Sequence, residues 1–197
     1  MRIIAGTFRG RAVAAPAGRS TRPTADRTRQ AMFNVLDHGP WAIGLKDARI
    51  LDLFAGSGAL GLEALSRGAS FCLFIEADAQ AEAAIAGNLD RFDLPGRAQI
   101  ERRDATTLLA RPVSQSPFDI AFLDPPYFMN LAPQTLAGLI AGRWLAGGAI
   151  VVVEQGAGEA PVSVHGFEAV ARRTWGAAQV SYLRPNSRSM SLSFSST

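Results

Sequence analysis

Leu51-Asp52-Leu53-Phe54-Ala55-Gly56-Ser57-Gly58-Ala59-Leu60-Gly61 is the stretch that decides the fold. The apolar run Arg49–Phe54 reads as a buried strand, and the segment 58–66, closed by Gly68, reads as a helix. Between them Gly56, Gly58 and Gly61 complete a G-x-G-x-x-G pattern. Glycines there let the backbone turn tightly and approach a ligand, with a helix N-terminus directly behind. Glu76 follows about 20 residues after Gly56, at the end of the next strand-like run, where an acid can accept from both ribose hydroxyls. Alone, this pattern serves an NAD(P) oxidoreductase, or even a flavin-linked nucleotide, as well as it serves a methyltransferase.

Outward from this point, strand-like and helix-like segments alternate. Residues 70–76 are a strand, 79–92 an alanine-rich helix, 98–103 a strand, 106–110 a short helix and 118–123 a strand. A helix over 131–145 follows, then Gly147-Gly148 and a strand over 149–154. Such alternation predicts an α/β fold, a parallel sheet with helices on both faces. Two late strand-like segments, 167–174 and 179–183, are separated only by Trp175-Gly176-Ala177-Ala178, so one late strand should be antiparallel. Upstream, residues 2–16 read as a hairpin or two short strands around Gly10. A helix starts near Thr24 as N-cap and ends at Gly39-Pro40. We therefore expect an N-terminal extension over 1–40, a catalytic domain over 41–184 and a disordered serine-rich tail over 185–197.

Composition narrows the class. The 197 residues are 48% hydrophobic, enough for one domain with a full core. No run of 18 apolar residues suggests a membrane span, and Met1–Gly6 lacks the apolar core of a signal peptide. Cys72, the sole cysteine, lies in an apolar run and reads as a buried structural thiol. Together these features fit a reducing, cytoplasmic location. No Cys/His cluster suggests a metal; His38 and His165 look incidental. Net charge is only +3, yet residues 1–30 hold seven arginines (Arg2, Arg9, Arg11, Arg19, Arg22, Arg27 and Arg29) against one acid, Asp26. A basic front end on a mildly acidic body predicts a polyanion partner.

The second chemical signal is Asp119-Ile120-Ala121-Phe122-Leu123-Asp124-Pro125-Pro126-Tyr127. Two prolines, with fixed φ and no N–H, end the strand and stiffen the turn. Asp124, the Pro125 carbonyl and the Tyr127 ring are thereby held together at a sheet edge. Two acceptors can take the two N–H bonds of a planar amino group while an aromatic face stacks the attached ring. This clamp resembles the D-P-P-Y signature of methyltransferases acting on exocyclic amino groups of nucleobases; an ordinary proline turn with Tyr127 as packing is the bland alternative.

Three details favour S-adenosylmethionine over a dinucleotide. Asp52 lies at the end of the first strand, where a carboxylate can bind a cationic amino group and where a pyrophosphate has no use for an acid. Asp104-Ala105 ends the third strand, in position to meet an adenine edge. The following strand ends in the amino clamp. The plainer reading has Asp52 capping the glycine loop and Asp104 capping the short helix after it, and each acid can serve both roles together.

The chain resembles the RsmD family of bacterial 16S rRNA (guanine-N2) methyltransferases. The resemblance rests on Met1–Gly10, Thr21–Asn34 (Arg-Pro-Thr-Ala-Asp-Arg, then Met-Phe-Asn), Leu51–Gly68 and Asp124–Tyr127. It implies a Rossmann-like class I fold with a mostly parallel seven-stranded sheet and a small N-terminal extension. It implies methyl transfer to N2 of a guanine in 16S rRNA, on a small-subunit assembly intermediate, by a monomer. Asp124, Pro125, Pro126 and Tyr127 would be catalytic; Asp52, Phe54, Gly56, Gly58, Glu76, Ala77, Asp104 and Ala105 would bind S-adenosylmethionine. Arg9, Arg11, Arg22 and Arg27 would hold RNA phosphates, although Arg27 can equally be a solvated helix face. Gln30 departs from the glutamate usual in the family, and the last 30 residues match weakly. An adenine-N6 methyltransferase on DNA or RNA shares the clamp, and a non-catalytic RNA-binding assembly factor is the rival that lacks chemistry.

Overall fold

The computed structural model describes residues 1–16 and 26–186. They form two compact units, Met1–Ala105 and a second from Thr106 onward. In the first, β1 (Arg49–Leu53), β2 (Phe71–Glu76) and β3 (Ala98–Arg102) pair in parallel, with Leu53 opposite Ile75 and Ile75 opposite Glu101. Helices α1 (Asp26–His38), α2 (Ala59–Ser66) and α3 (Ala79–Phe92) accompany them. The second holds β4 (Phe118–Leu123), α4 (Ala132–Ala141), β5 (Leu145–Gly156), β6 (Phe167–Trp175) and β7 (Ala178–Pro185). The strands run in the order β3-β2-β1-β4-β5-β7-β6 in one seven-stranded sheet. β4 and β5 are parallel, whereas β7 is antiparallel to both β5 and β6.

Central strands are apolar on both faces, as parallel strands covered by helices must be. Ile50, Leu51 and Leu53 of β1 are fully buried, as are Ile120, Ala121 and Phe122 of β4. Helix α3 begins where the Asp78 side chain accepts from the backbone N–H of Gln80 and Ala81, an N-cap arrangement. The β6–β7 hairpin closes on Gly176, whose φ of 59° supplies the left-handed residue a two-residue loop needs.

Several boundaries differ from the sequence-based expectation. The helix expected over 131–145 stops at Ala141: Arg143 is left-handed (φ 54°) and Leu145 already belongs to β5. Gly147-Gly148 lies inside β5, not before it. It forms a bulge that shifts the pairing from Phe118–Leu145 to Ile120–Ile150, with Gly148 at φ 84°. The short helix expected over 106–110 is a 3-10 turn, Ala105–Thr107. Residues 2–16 form a folded-back loop with one antiparallel bridge, Arg2 to Ala12, where a hairpin or two strands were expected. Pro185, expected in the tail, ends β7; the rest of that tail and the proposed N-cap Thr24 lie outside the described residues, apart from Asn186. Among the described residues no helix is long and apolar enough to cross a membrane.

The N-terminal loop stays close to helix α2 because α2 carries polar groups on the face it meets. The buried Glu63 carboxylate accepts from Ile4 N–H (2.7 Å) and Ala5 N–H (3.1 Å) and is paired with Arg67 at 2.8 Å. The Ser66 hydroxyl accepts from Phe8 N–H and donates to the Ala5 carbonyl. Gly6 (φ 80°) crosses so close to α2 that a Cβ would lie 1.8 Å from the Ser66 carbonyl oxygen, so only glycine fits. Glu63→Ala leaves two half-buried backbone donors unpaired and leaves Arg67 only its longer pair with Asp37, at 3.3 Å. We expect a loss of about 3–5 kcal/mol, the scale of breaking a buried pair, measured by urea unfolding.

Candidate active site

Within the first unit, the carboxyl ends of β1, β2 and β3 carry Asp52 to Gly56, Glu76-Ala77 and Asp104-Ala105 side by side, because parallel pairing aligns them. Phe54 (φ 60°), Gly56 (φ 57°) and Gly58 (φ 76°) are all left-handed. For a bulky residue such as Phe54 this is a strained backbone, of the kind that functional loops store. Two carboxylates hold the loop in this shape. Asp52 Oδ2 accepts from Gly61 N–H at 2.9 Å, and Glu76 Oε2 accepts from Gly56 N–H at 2.8 Å. Glu76 Oε1 accepts from Asp78 N–H at 2.9 Å.

The three glycines have different reasons. A Cβ on Gly61 would lie 2.3 Å from the Phe74 ring and 2.6 Å from Cys72 Sγ, so Gly61 lets α2 pack tightly on β2. A Cβ on Gly58 would press on Phe74 and Ile85 at 3.2–3.5 Å. Gly56 has nothing nearer than 3.9 Å, which leaves open space above its backbone. That space and a carboxylate with lone pairs to spare suit a nucleoside with a vicinal diol. Asp104 and Ala77 are exposed, and Ala105 is buried.

Asp52 is the electrostatic anomaly. It is buried, and no side chain of α2's own N-cap, Gly58, can bond the helix end; Asp52 does so from the neighbouring strand. Loss of solvent raises its carboxyl to about 8, Glu76 adds to the rise, and the Gly61 N–H opposes it. Cys72 behind it is likewise buried, and its thiol is pushed well up, as for an inert structural cysteine.

In the second unit, Asp124 follows the last paired residues of β4 and β5, Leu123 and Val153, so it stands level with Glu154. Pro125 is buried, and Asp124 and Tyr127 are partly buried. The Tyr127 hydroxyl donates to Glu154 Oε1 at 2.6 Å. The Tyr127 ring edge rests on Gly156, where a Cβ would come within 3.2 Å. The ring is therefore fixed at its hydroxyl and along one edge. Glu154, buried at 3% exposure, was not singled out from sequence. Its signal was available: like Asp52, Glu76, Asp104 and Asp124, it is an acid that ends an apolar strand run.

The arginines proposed for RNA divide. Arg9 and Arg27 are exposed. Arg11 lies over the Phe92 ring at 4.5 Å and bonds the Arg91 carbonyl. Arg22 falls outside the described residues. Arg29, part of the basic count, is buried: it pairs with Asp26 at 3.0 Å and bonds the Arg2 carbonyl.

The fold and these strand-end motifs define a Rossmann-like α/β chain of the class I methyltransferase type. A family model named Conserved hypothetical protein 95 matches residues 1–184. Ribosomal RNA small subunit methyltransferase D of Escherichia coli K12 is 40% identical over 154 residues, 78% of this chain and 74% of the relative. Its Haemophilus influenzae counterpart is 37% identical over 155 residues, 78% of each chain. The solved structure of yhhF from Escherichia coli superposes with a TM-score of 0.77 at 32% identity, covering 94% of this chain and 97% of that one. The chain belongs to this family, the RsmD family.

The Asp52 carboxyl titrates near 8 in the fold against an ordinary 3.8, so it favours the folded state fully below about pH 4 and that contribution is lost as pH rises through 8. Asp52→Asn keeps an acceptor for Gly61 but does not ionise. The stability difference between wild type and Asp52→Asn, from urea unfolding, should therefore move against the wild type between pH 4 and 8. A constant difference would show that Asp52 is ionised throughout.

Proposed function

We propose that this chain transfers a methyl group from S-adenosylmethionine to the exocyclic N2 of a guanine in small-subunit ribosomal RNA. The observation that carries the reading is the Asp124–Tyr127 clamp with its aromatic ring anchored on Glu154 and Gly156. Family membership supports ribosomal RNA as the substrate class and sets aside the oxidoreductase that the glycine motif alone allowed. The basic front end supports a polyanion, although Arg11 and Arg29 also do structural work. A soluble cytoplasmic monomer acting on an assembling small subunit is part of the same proposal.

When bound, S-adenosylmethionine supplies an electrophilic methyl on a sulfonium. In this reading Asp52, with Phe54, Gly56 and Gly58, holds the amino-acid end. Glu76, with Ala77, accepts from the ribose hydroxyls, and Asp104 with Ala105 meets the adenine edge. Asp124 and the Pro125 carbonyl would accept the two N–H bonds of the guanine amino group, directing its nitrogen lone pair at the methyl; as the N–C bond forms the S–C bond breaks to leave a thioether, and one N2 proton leaves along the hydrogen bond to Asp124 and on to solvent. Pro126 stiffens the turn, and the Tyr127 face stacks the base. Guanine N2 is a weak nucleophile because its lone pair is delocalised into the ring. Orientation and two acceptors facing the charge that develops on nitrogen are what the chain contributes. Arg9, Arg22 and Arg27 would meet phosphates, each adding to the salt dependence of RNA binding.

Mapping N2-methylguanine in small-subunit RNA from a strain lacking the gene, with and without complementation, tests the reaction. The modification should disappear at one guanine and return with the wild-type chain. Asp124→Ala should restore it at a rate lower by about 10²–10³, with cofactor affinity nearly unchanged. Restoration at the wild-type rate would reduce Asp124 to a turn residue. Titration with S-adenosylhomocysteine near pH 7, in buffers of differing ionisation enthalpy, tests the ammonium contact. Binding should release a proton from wild type and none from Asp52→Asn; equal release would place the ammonium elsewhere.

A further inference from the structure

The residues after the clamp are apolar and face solvent. Phe128 is 73% exposed and Met129 59% exposed. The backbone that presents them is left-handed at Phe128 (φ 63°), an uncommon conformation for a bulky side chain, and again at Asn130 (φ 52°), where asparagine adopts it readily. Phe128 is nevertheless braced. Its ring meets the Tyr127 ring edge-on, with centroids 6.4 Å apart and planes at 82°. Its tip lies where a Cβ on Gly156 would be 3.2 Å away. One edge of the ring is thus fixed against the clamp and the end of β5, while most of its surface remains in solvent.

An enzyme that acts on a base amino group withdraws the base from its stack. Proteins that unstack bases do so by inserting apolar side chains between neighbouring steps. Resting on the reading that the clamp receives a guanine, we propose that Phe128 and Met129 form an apolar wedge that enters the RNA stack where the target guanine leaves it. Phe128 then stacks on the neighbouring base, and its contact with Tyr127 couples that insertion to the ring that stacks the guanine. Continuity with the clamp points to a nucleobase as the occupant. Two side chains are also far short of the roughly 20–30 residues per partner that a stable protein interface uses.

The test places 2-aminopurine beside the mapped guanine in an rRNA fragment or reconstituted particle that the wild-type chain methylates. Its fluorescence should rise when wild-type chain with S-adenosylhomocysteine is added, and stay flat with the Phe128→Ala/Met129→Ala double variant. Single-turnover methylation should fall about 10- to 100-fold in that variant, the scale of losing one base–aromatic stack. Phe128→Trp, which keeps a ring that can stack, should retain most of the rate. Thermal midpoint and S-adenosylhomocysteine affinity should not move, and Val113→Ala, an exposed apolar change elsewhere in the second unit, should be neutral. Wild-type methylation without a fluorescence rise, or a wild-type rate in the double variant, would overturn the wedge and leave the assigned reaction intact. So would a dimer in sedimentation that depends on Phe128, which would make the patch a self-association surface. Absence of N2-methylguanine from the wild-type reaction would strike the assigned reaction instead.

Discussion

Two hydrogen bonds from backbone to strand-end carboxylates shape the nucleotide end of this chain. Gly61 N–H reaches Asp52 and Gly56 N–H reaches Glu76, so the loop between β1 and α2 is held at both of its ends by acids on adjacent strands. A loop with left-handed residues at Phe54, Gly56 and Gly58 has little local preference for that path. The acids supply the missing preference, since a buried backbone donor without an acceptor costs about 1–3 kcal/mol. They also set the chemistry of the rim. Asp52 is short of solvent and prefers its proton, which a neighbouring cation would displace; each Glu76 oxygen accepts one backbone N–H and can accept another bond.

Helix α2 links this loop to the N-terminal segment. Its first turn receives the Asp52 cap, and its last turns present Glu63 and Ser66 to residues 4–8. The third helix repeats the device with Asn88, whose amide accepts from Ala14 N–H and donates to the carbonyls of Ala14 and Ser57. The folded-back N-terminal loop is therefore stitched to the same helices that frame the glycine loop. This explains why the arginines of the first 30 residues have unequal roles. Arg29 and Arg11 secure the loop, one by donating to the Arg2 carbonyl and one by lying over the Phe92 ring, and Arg9 and Arg27 are left to solvent.

The second unit follows a related rule with a different product. Asp124 directly follows β4 and stands level with Glu154 in the neighbouring parallel β5, but the prolines after Asp124 turn the chain so that Tyr127 returns to Glu154. A buried carboxylate that binds the phenol hydroxyl fixes the position of the ring, and the contact of the ring edge with Gly156 limits its plane. Gly156 completes the arrangement by having no side chain, since a Cβ there would press on Tyr127, Phe128 and Glu159 together.

Much of this was legible in the residues. An alanine-rich segment located α3 and a continuous apolar run closed by an acid located β4 to the residue, and the Trp175–Ala178 gap foretold the antiparallel β7. Acids closing those runs marked Asp52, Glu76, Asp104 and Asp124, because a carboxylate ending a buried strand needs a reason to be there. Local pattern misled where pairing decides conformation. Gly147-Gly148 reads as a break, yet β5 continues through it as a bulge, since the ladder to β4 offers hydrogen bonds on both sides. Nothing local shows that Arg29 is buried, that Glu63 holds a segment almost 60 residues away, or that Glu154 meets Tyr127. Those partners are distant in sequence and meet only when the strands align. Residue type and spacing determined which chemistry is available; tertiary structure decided which polar groups were taken up by the fold and which were left facing outward.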